Sequence, residues 1–321
     1  MLTRPKLIEP VQAGRGIVAT LSTPPGLRKA RDDRAPGPLP ARCGDRIFPR
    51  MLPTASSIAV HRELRISGAT DIGSKRDQNQ DTFVISDLST GRSRRLIDLR
   101  AEAPGVLLMV CDGMGGPPAG DVAARLAAVA IEQGLLAAGA ECARQPGATL
   151  RRALEVANEA IFAEANAHPE EFGMGTTCTA ALCSPEGLSI AQVGDSRAYL
   201  FRERRLYRLT RDQTIASQLV DEGALDPSQI DTFPLKHVLV QALGTADEVK
   251  PVVTDHDLRE NDRVLLCSDG LHGPVDERTI AGILAEAPSA DAAARALIDA
   301  ALSAGGPDNV TVVVAECGPL G

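Results

Sequence analysis

Four apolar β-type runs in this sequence are each bounded by an aspartate that adjoins a small or turn-forming residue. Val106–Cys111 runs into Asp112-Gly113, Leu188–Val193 into Gly194-Asp195, and Arg263–Ser268 into Asp269-Gly270, while Asp308-Asn309 directly precedes Val310–Ala315. Asp81 stands in the same way before Thr82–Ser86. Short β-rich runs of this kind must be buried in a sheet. A carboxylate at a strand end then projects at the sheet rim, and a following glycine lets a backbone carbonyl approach a ligand closely. Any single Asp-Gly pair is an ordinary turn, but the set together describes a rim that gathers carboxylates. Hard divalent cations take such oxygen ligands, and two of them about 3.5–4 Å apart can share one carboxylate.

The intervening segments complete an α+β pattern. Asp121–Leu136 places Val122, Leu126 and Val129 on one helical face, and Ala148–Ala167 does the same with Leu150, Leu154, Ala157 and Ile161. Strands are expected at Thr176–Cys183, Leu188–Val193, Ala198–Arg202 and Arg205–Leu209, and helices over 277–286 and 289–304. Residues 212–245 read as a helix plus an irregular polar excursion. Runs of strands with helices in pairs between them predict a layered α+β domain rather than alternating βαβ units. That domain is expected over 67–317. Residues 1–66 hold nine of the 22 prolines and one aromatic, Phe48, and lack periodicity, so a basic, disordered extension is expected there. Its open readings are an anionic docking arm, an organellar transit peptide, a solvated tail, or an upstream start with Met51 nearer the true beginning.

Charge and cysteines narrow the function classes. The extension carries +7 and the remaining chain −15. So acidic a body repels phosphate backbones unless bound cations reverse the sign locally, and eight aromatics with no Trp supply no base-stacking platform. Nucleic acid is therefore not an expected partner. No apolar run is long enough to span a bilayer. Seven scattered cysteines with no C-x-x-C pair suit a reducing compartment, the cytoplasm, rather than a disulfide framework or zinc finger.

The ordered blocks Thr70–Asp81 (TDIGSKRDQNQD), Val110–Gly116 (VCDGMGG), Gly173–Thr177 (GMGTT), Val193–Arg197 (VGDSR), Leu266–Leu271 (LCSDGL) and Gly306–Thr311 (GPDNVT) resemble the motifs of the metal-dependent Ser/Thr protein phosphatases, the PPM or type 2C class, in its bacterial form. The resemblance implies a four-layer α-β-β-α sandwich with a central antiparallel β-sandwich and a binuclear metal site at one edge. It implies two or three Mn2+ or Mg2+ ions. Asp112 would bridge two metals, the Gly113 carbonyl would bind one, Asp269 and Asp308 would complete the other shell, and Asp195 would join Asp269 at a third ion. Asp81 would act near the second metal through water, and Arg76 would clamp the phosphate. The implied reaction is hydrolysis of phosphoserine and phosphothreonine by in-line attack of a metal-bridging hydroxide. The implied partners are a bacterial Ser/Thr kinase of the eukaryotic-like type and its targets, met by a monomeric enzyme.

This chain departs from the family in several places. Gln80 stands where many relatives have Glu, and Met114 where eukaryotic relatives have a His that protonates the leaving group. In the flap, about 212–245, Phe233-Pro234 replaces His-Pro and Gln241 replaces a common Arg. His272, just past Ser268-Asp269-Gly270, is weighed as a cleft-facing group against a solvent-exposed or packing histidine, and the second reading is preferred. Other phosphatase chemistries lack their residues: no cysteine has Arg six positions on, Asp255-His256-Asp257 is followed by Arg259 where a Thr or Val is needed, and no H-x3-H pair is present. The remaining alternative is a catalytically weak or silent regulatory or partner-switching module on the same fold.

Overall fold

The structure, a computed structural model, describes residues 62–101, 104–116, 119–168, 171 and 173–320. The basic extension lies outside the described residues up to residue 61, and the boundary expected at 66/67 falls inside the first strand. Strands β1 (Arg62–Asp71), β2 (Asp81–Asp87), β3 (Arg92–Ser93), β4 (Leu96–Ala101) and β5 (Val106–Met114) come first. Helices α1 (Ala119–Ala138), α2 (Ala140–Arg144) and α3 (Pro146–Ala167) follow. Next are β6 (Gly175–Thr176), β7 (Cys178–Ser184), β8 (Gly187–Val193), β9 (Arg197–Arg202) and β10 (Arg205–Arg208), then α4 (Ile215–Asp221). The chain closes with β11 (Val252–His256), β12 (Arg263–Cys267), α5 (Asp269–His272), α6 (Glu277–Glu286), α7 (Ala290–Ser303) and β13 (Val310–Leu320).

Among the described residues all strand pairs are antiparallel. One sheet has the order β10-β9-β12-β13-β1-β4; the other runs β11-β8-β7-β5-β2-β3, with β6 paired to β5 off that path. Side-chain alternation explains why the central strands read as unbroken apolar runs. In β5, Val106, Leu108 and Val110 face the opposite sheet, while Leu107, Met109 and Cys111 face the α1–α3 layer. In β13, Val313, Ala315 and Cys317 face the inter-sheet core and Val310, Val312 and Val314 face α6 and α7. Three buried clusters thus separate four layers, helix–sheet–sheet–helix, as the sequence implied.

One expected helical face is wrong. α1 buries Ala123, Ala124, Ala127, Ala128, Ile131 and Leu135, while Val122 and Leu126 reach only its margin and Val129 is 51% exposed. The cause is close approach. A Cβ added to Gly113 in β5 would lie 2.1 Å from the Gly120 carbonyl oxygen, so the helix start sits directly on the strand and only small side chains fit beneath it. In α3, Leu150, Leu154, Ala157 and Ile161 are all buried as expected.

Antiparallel pairing brings the aspartates to one rim. β5 ends where β2 begins, so Asp81 pairs in register with Asp112. β12 ends where β13 begins, with Cys267 opposite Val312, so Asp269 and Asp308 emerge side by side. No helix among the described residues is long and apolar enough to cross a membrane.

Candidate metal centre

An open cleft of about 1270 Å³ lies at that rim, and Arg76, Asp112, Gly113, Asp195, Asp269 and Asp308 line it. The fifth sequence-expected acid, Asp81, is buried and does not line the cleft. Backbone contacts set the spacing. A Cβ on Gly270 would lie 1.9 Å from the Asn309 carbonyl oxygen, and one on Gly73 (φ +76°) 2.2 Å from that of Asp308. Only glycine permits these two close approaches, and the Gly270–Asn309 contact holds Asp269 and Asp308 together.

Side-chain hydrogen bonds fix the rest. The Ser268 hydroxyl donates to Asp81 Oδ2 at 2.7 Å and accepts from the Thr311 amide at 3.0 Å. Asn309 accepts from the Gln80 amide and donates to the Ile72 and Gln78 carbonyls, each at 2.9 Å, so it moors the loop that carries Arg76. Thr177 Oγ1 accepts from the Asp112 amide at 3.1 Å. The Asp195 carbonyl accepts from His272 Nε2 at 3.1 Å. Arg76 Nη2 reaches Asp308 Oδ2 at 2.5 Å, while its Nε is buried with no protein partner.

Electrostatics decides what this arrangement can hold. Burial, then the charges of Asp81, Asp269, Asp195 and Asp308, hold the Asp112 carboxyl well above the usual carboxylate range. Burial, Asp269 and Asp212 do the same to Asp195. Asp269 is raised by burial and by Asp308, against His237, a hydrogen bond with Asp112, and Arg76. Asp81 is pushed up to about 7 by burial and by Asp269 and Asp308, against hydrogen bonds from Ser268 and Thr311. Asp81 Oδ1 and Asp269 Oδ1 are buried without a partner. Like carboxylates paired across a ladder destabilise it, and buried unpaired oxygens add to the cost. An all-oxygen donor set of this charge fits hard divalent cations: Asp112, Gly113, Asp195, Asp269 and Asp308 from the cleft, with Asp81 behind.

Sequence reasoning missed several contributors. Ser268, Asn309 and Thr177 lie inside the motif blocks, beside or across from the acids, and adjacency was their only signal. His272 is neither exposed nor a core packing residue; it lines the cleft, and burial pushes its imidazole down to about 3. Lys236 and His237 reach the same cleft from the flap, a placement that local sequence does not encode. Met114 is also a lining residue.

Carboxylates alone would repel a phosphate ester. Joined by cations and a guanidinium at the edge of an α-β-β-α sandwich, they define the metal-dependent phosphatases. The chain belongs to the protein phosphatase 2C family, which matches it over residues 96–303. It is 42% identical over 214 residues to serine/threonine protein phosphatase PstP of Mycobacterium tuberculosis, covering 65% of this chain and only 40% of that relative. It is 34% identical over 258 residues to serine/threonine phosphatase stp of Listeria welshimeri, covering 80% of this chain and 96% of that protein. The crystal structure of the M. tuberculosis PstP/Ppp phosphatase superposes with a TM-score of 0.69 at 37% identity, over 80% of this chain and 100% of that one. A structure of the PstP catalytic domain in complex with two manganese ions gives a TM-score of 0.65 at 36% identity, over the same shares.

Proposed function

We propose that this chain is a metal-dependent protein serine/threonine phosphatase, hydrolysing phosphoserine and phosphothreonine in proteins and opposing a Ser/Thr protein kinase. The observation that carries this reading is the crowd of buried and half-buried carboxylates with raised proton affinity and unpartnered oxygens beside Arg76. Without cations such a cluster would be a large cost with no return. The relatives named as serine/threonine phosphatases support the substrate class.

In this reading Asp112, Gly113, Asp269 and Asp308 hold a pair of Mn2+ or Mg2+ ions, and Asp195 with Asp269 holds a third, weaker one. When bound, the ions cancel the carboxylate charge and acidify coordinated water so that a hydroxide nucleophile is present near neutral pH. Asp308 orients the Arg76 guanidinium at the cleft wall, where it takes phosphate oxygens with the donors that Asp308 leaves free. Ser268 keeps Asp81 aimed at the metal side. Met114 has no proton to give, so the leaving serine or threonine oxygen draws its proton from solvent. The phosphatase unit is the 67–317 region together with the strand that begins at Arg62, acting as a cytoplasmic monomer on the phosphorylated kinase and its substrates.

The test is phosphate release from p-nitrophenyl phosphate and a phosphothreonine peptide with Mn2+, Mg2+ or EDTA. Asp112→Asn is expected to lower kcat by about a thousandfold or more, equivalent to roughly 4 kcal/mol of barrier. A wild-type chain that releases no phosphate with either metal would leave the silent-module reading in its place.

A further inference from the structure

Gln241 sits far from the carboxylates in sequence, at the C-terminal root of the flap, yet its amide is part of a continuous path to Asp195. Gln241 Nε2 donates to Gln213 Oε1 at 2.8 Å and to the Lys250 carbonyl at 3.0 Å, and Gln241 Oε1 accepts from the Lys250 amide at 3.1 Å. Gln213, at the other root of the flap, accepts at the same Oε1 from the Gly194 amide at 2.7 Å. Its own backbone amide donates to the Gly194 carbonyl at 3.0 Å, and its carbonyl accepts from the Val240 amide at 2.8 Å. Gly194 is the hinge of the turn that presents Asp195: its φ is +97°, and an added Cβ would lie 2.7 Å from Thr177.

The donor and acceptor arithmetic singles out glutamine. Both hydrogens of the Gln241 amide point at carbonyl oxygens and its oxygen meets an N–H; the flipped amide would set oxygen against oxygen twice. An Arg here could serve Gln213 and the Lys250 carbonyl but could not accept from the Lys250 amide. A methionine of similar length could do none of these.

We propose that Gln241 is a positioning residue that ties the two roots of the flap together and, through Gln213, holds the Gly194 turn so that Asp195 faces the metal side of the cleft. It acts through Gln213 and touches neither phosphate nor metal. This inference rests on the reading of the cleft as a metal centre, and it links the substrate-side flap to the most weakly held ion.

Two variants of the full chain test it. In Gln241→Met, amide exchange at Gly194 and Lys250 in the metal-free protein is expected to quicken about tenfold through local opening. Mn2+ binding at the Asp195 position, followed by calorimetric titration, is expected to weaken roughly tenfold, the usual size of such outer-sphere effects, with the tighter ions unaffected. In Gln241→Arg, which keeps the donors, only Lys250 exchange should rise, while Gly194 exchange and Mn2+ binding stay near the wild type. Unchanged Gly194 exchange or unchanged Mn2+ binding in Gln241→Met overturns the proposal. So does a Gln241→Arg variant whose Mn2+ binding falls as far as that of Gln241→Met. Failure of the metal-centre reading itself would show differently, as wild-type protein that takes up no Mn2+ at all.

Discussion

Arg76 commits one arm of its guanidinium to Asp308 and leaves its Nε buried without a protein partner. That division suits the phosphate-clamp role proposed for it. Burial opposes its charge, but the hydrogen bond and charge of Asp308, with Asp112 and Asp269 nearby, outweigh burial and keep it cationic. In the proposed role, a lysine would carry the same charge as a point, without the planar fork needed to meet phosphate oxygens while still reaching Asp308. Arg76→Ala is therefore expected to lower kcat/KM for a phosphopeptide by about a hundredfold or more, mostly through KM, consistent with loss of a charge-assisted bidentate contact. Arg76→Lys should recover only a small part of it. Steady-state kinetics at saturating Mn2+ decide the matter, and an unchanged KM in Arg76→Ala would remove Arg76 from the substrate. The arginine itself was visible in the sequence because it stands in a motif block. Its tether to Asp308, 232 residues away, was not, since only the folded loop–loop contact creates it.

At the scale of elements, the glycines at strand ends join the secondary structure to the site. Gly270, the second residue of α5, lies directly against the Asn309 carbonyl just before β13, so a methyl group there has nowhere to go without parting the two loops. Gly270→Ala is expected to cost roughly 2–4 kcal/mol, as an overpacked core site does, and to weaken Mn2+ binding because Asp269 and Asp308 separate. Gly282→Ala supplies the control. Gly282 lies in α6 with nothing within 4 Å of an added Cβ, so the change should be neutral or stabilise by about 0.5–1 kcal/mol. Urea unfolding of the metal-free variants separates the two; equal midpoints would mean that the loops are not in contact. The elements themselves were legible where the pattern was strong. The continuous apolar runs of β5, β7, β8, β12 and β13 stand out because both of their faces are buried, and α3, α6 and α7 because their stripes are. β1, β3, β4 and β11 were missed: β3, β4 and β11 lie at sheet edges and are short, and β1, though interior, carries Arg62, Glu63 and Arg65 among its apolar residues and follows directly on the proline-rich region. The buried face of α1 was misread because close backbone approach selects alanine, which leaves the larger valines and leucine at the margin.

For the whole molecule, the cluster of carboxylates at the cleft is expected to make stability depend on pH and on cations in opposite senses. In the metal-free fold Asp81 binds its proton up to about pH 7, and the proton affinities of Asp112, Asp195 and Asp269 are raised as well. In the unfolded chain these carboxyls ionise near pH 4. Over the interval between, the folded state binds more protons, so its stability falls as pH rises, starting above the unfolded value and continuing through the folded one. His272 works the other way. Its folded affinity is lowered to about 3, so it adds stability as pH rises toward the ordinary histidine value near 6.5 and nothing more beyond it. The carboxyls therefore act against His272 below pH 6.5 and unopposed by it above. With EDTA present, the melting temperature is expected to fall between pH 6.5 and 8. Divalent cations compete with the same protons, so Mn2+ should stabilise more at pH 8 than at pH 6 and flatten or reverse that fall. The magnitude is on the order of a few kcal/mol, since one pKa unit is worth about 1.4 kcal/mol. Thermal melts across that interval, with and without Mn2+, supply the measurement. A metal-free protein whose stability rose steadily to pH 8 would mean that the carboxylates do not repel one another, and the cleft would then lose its physical reason to take up cations.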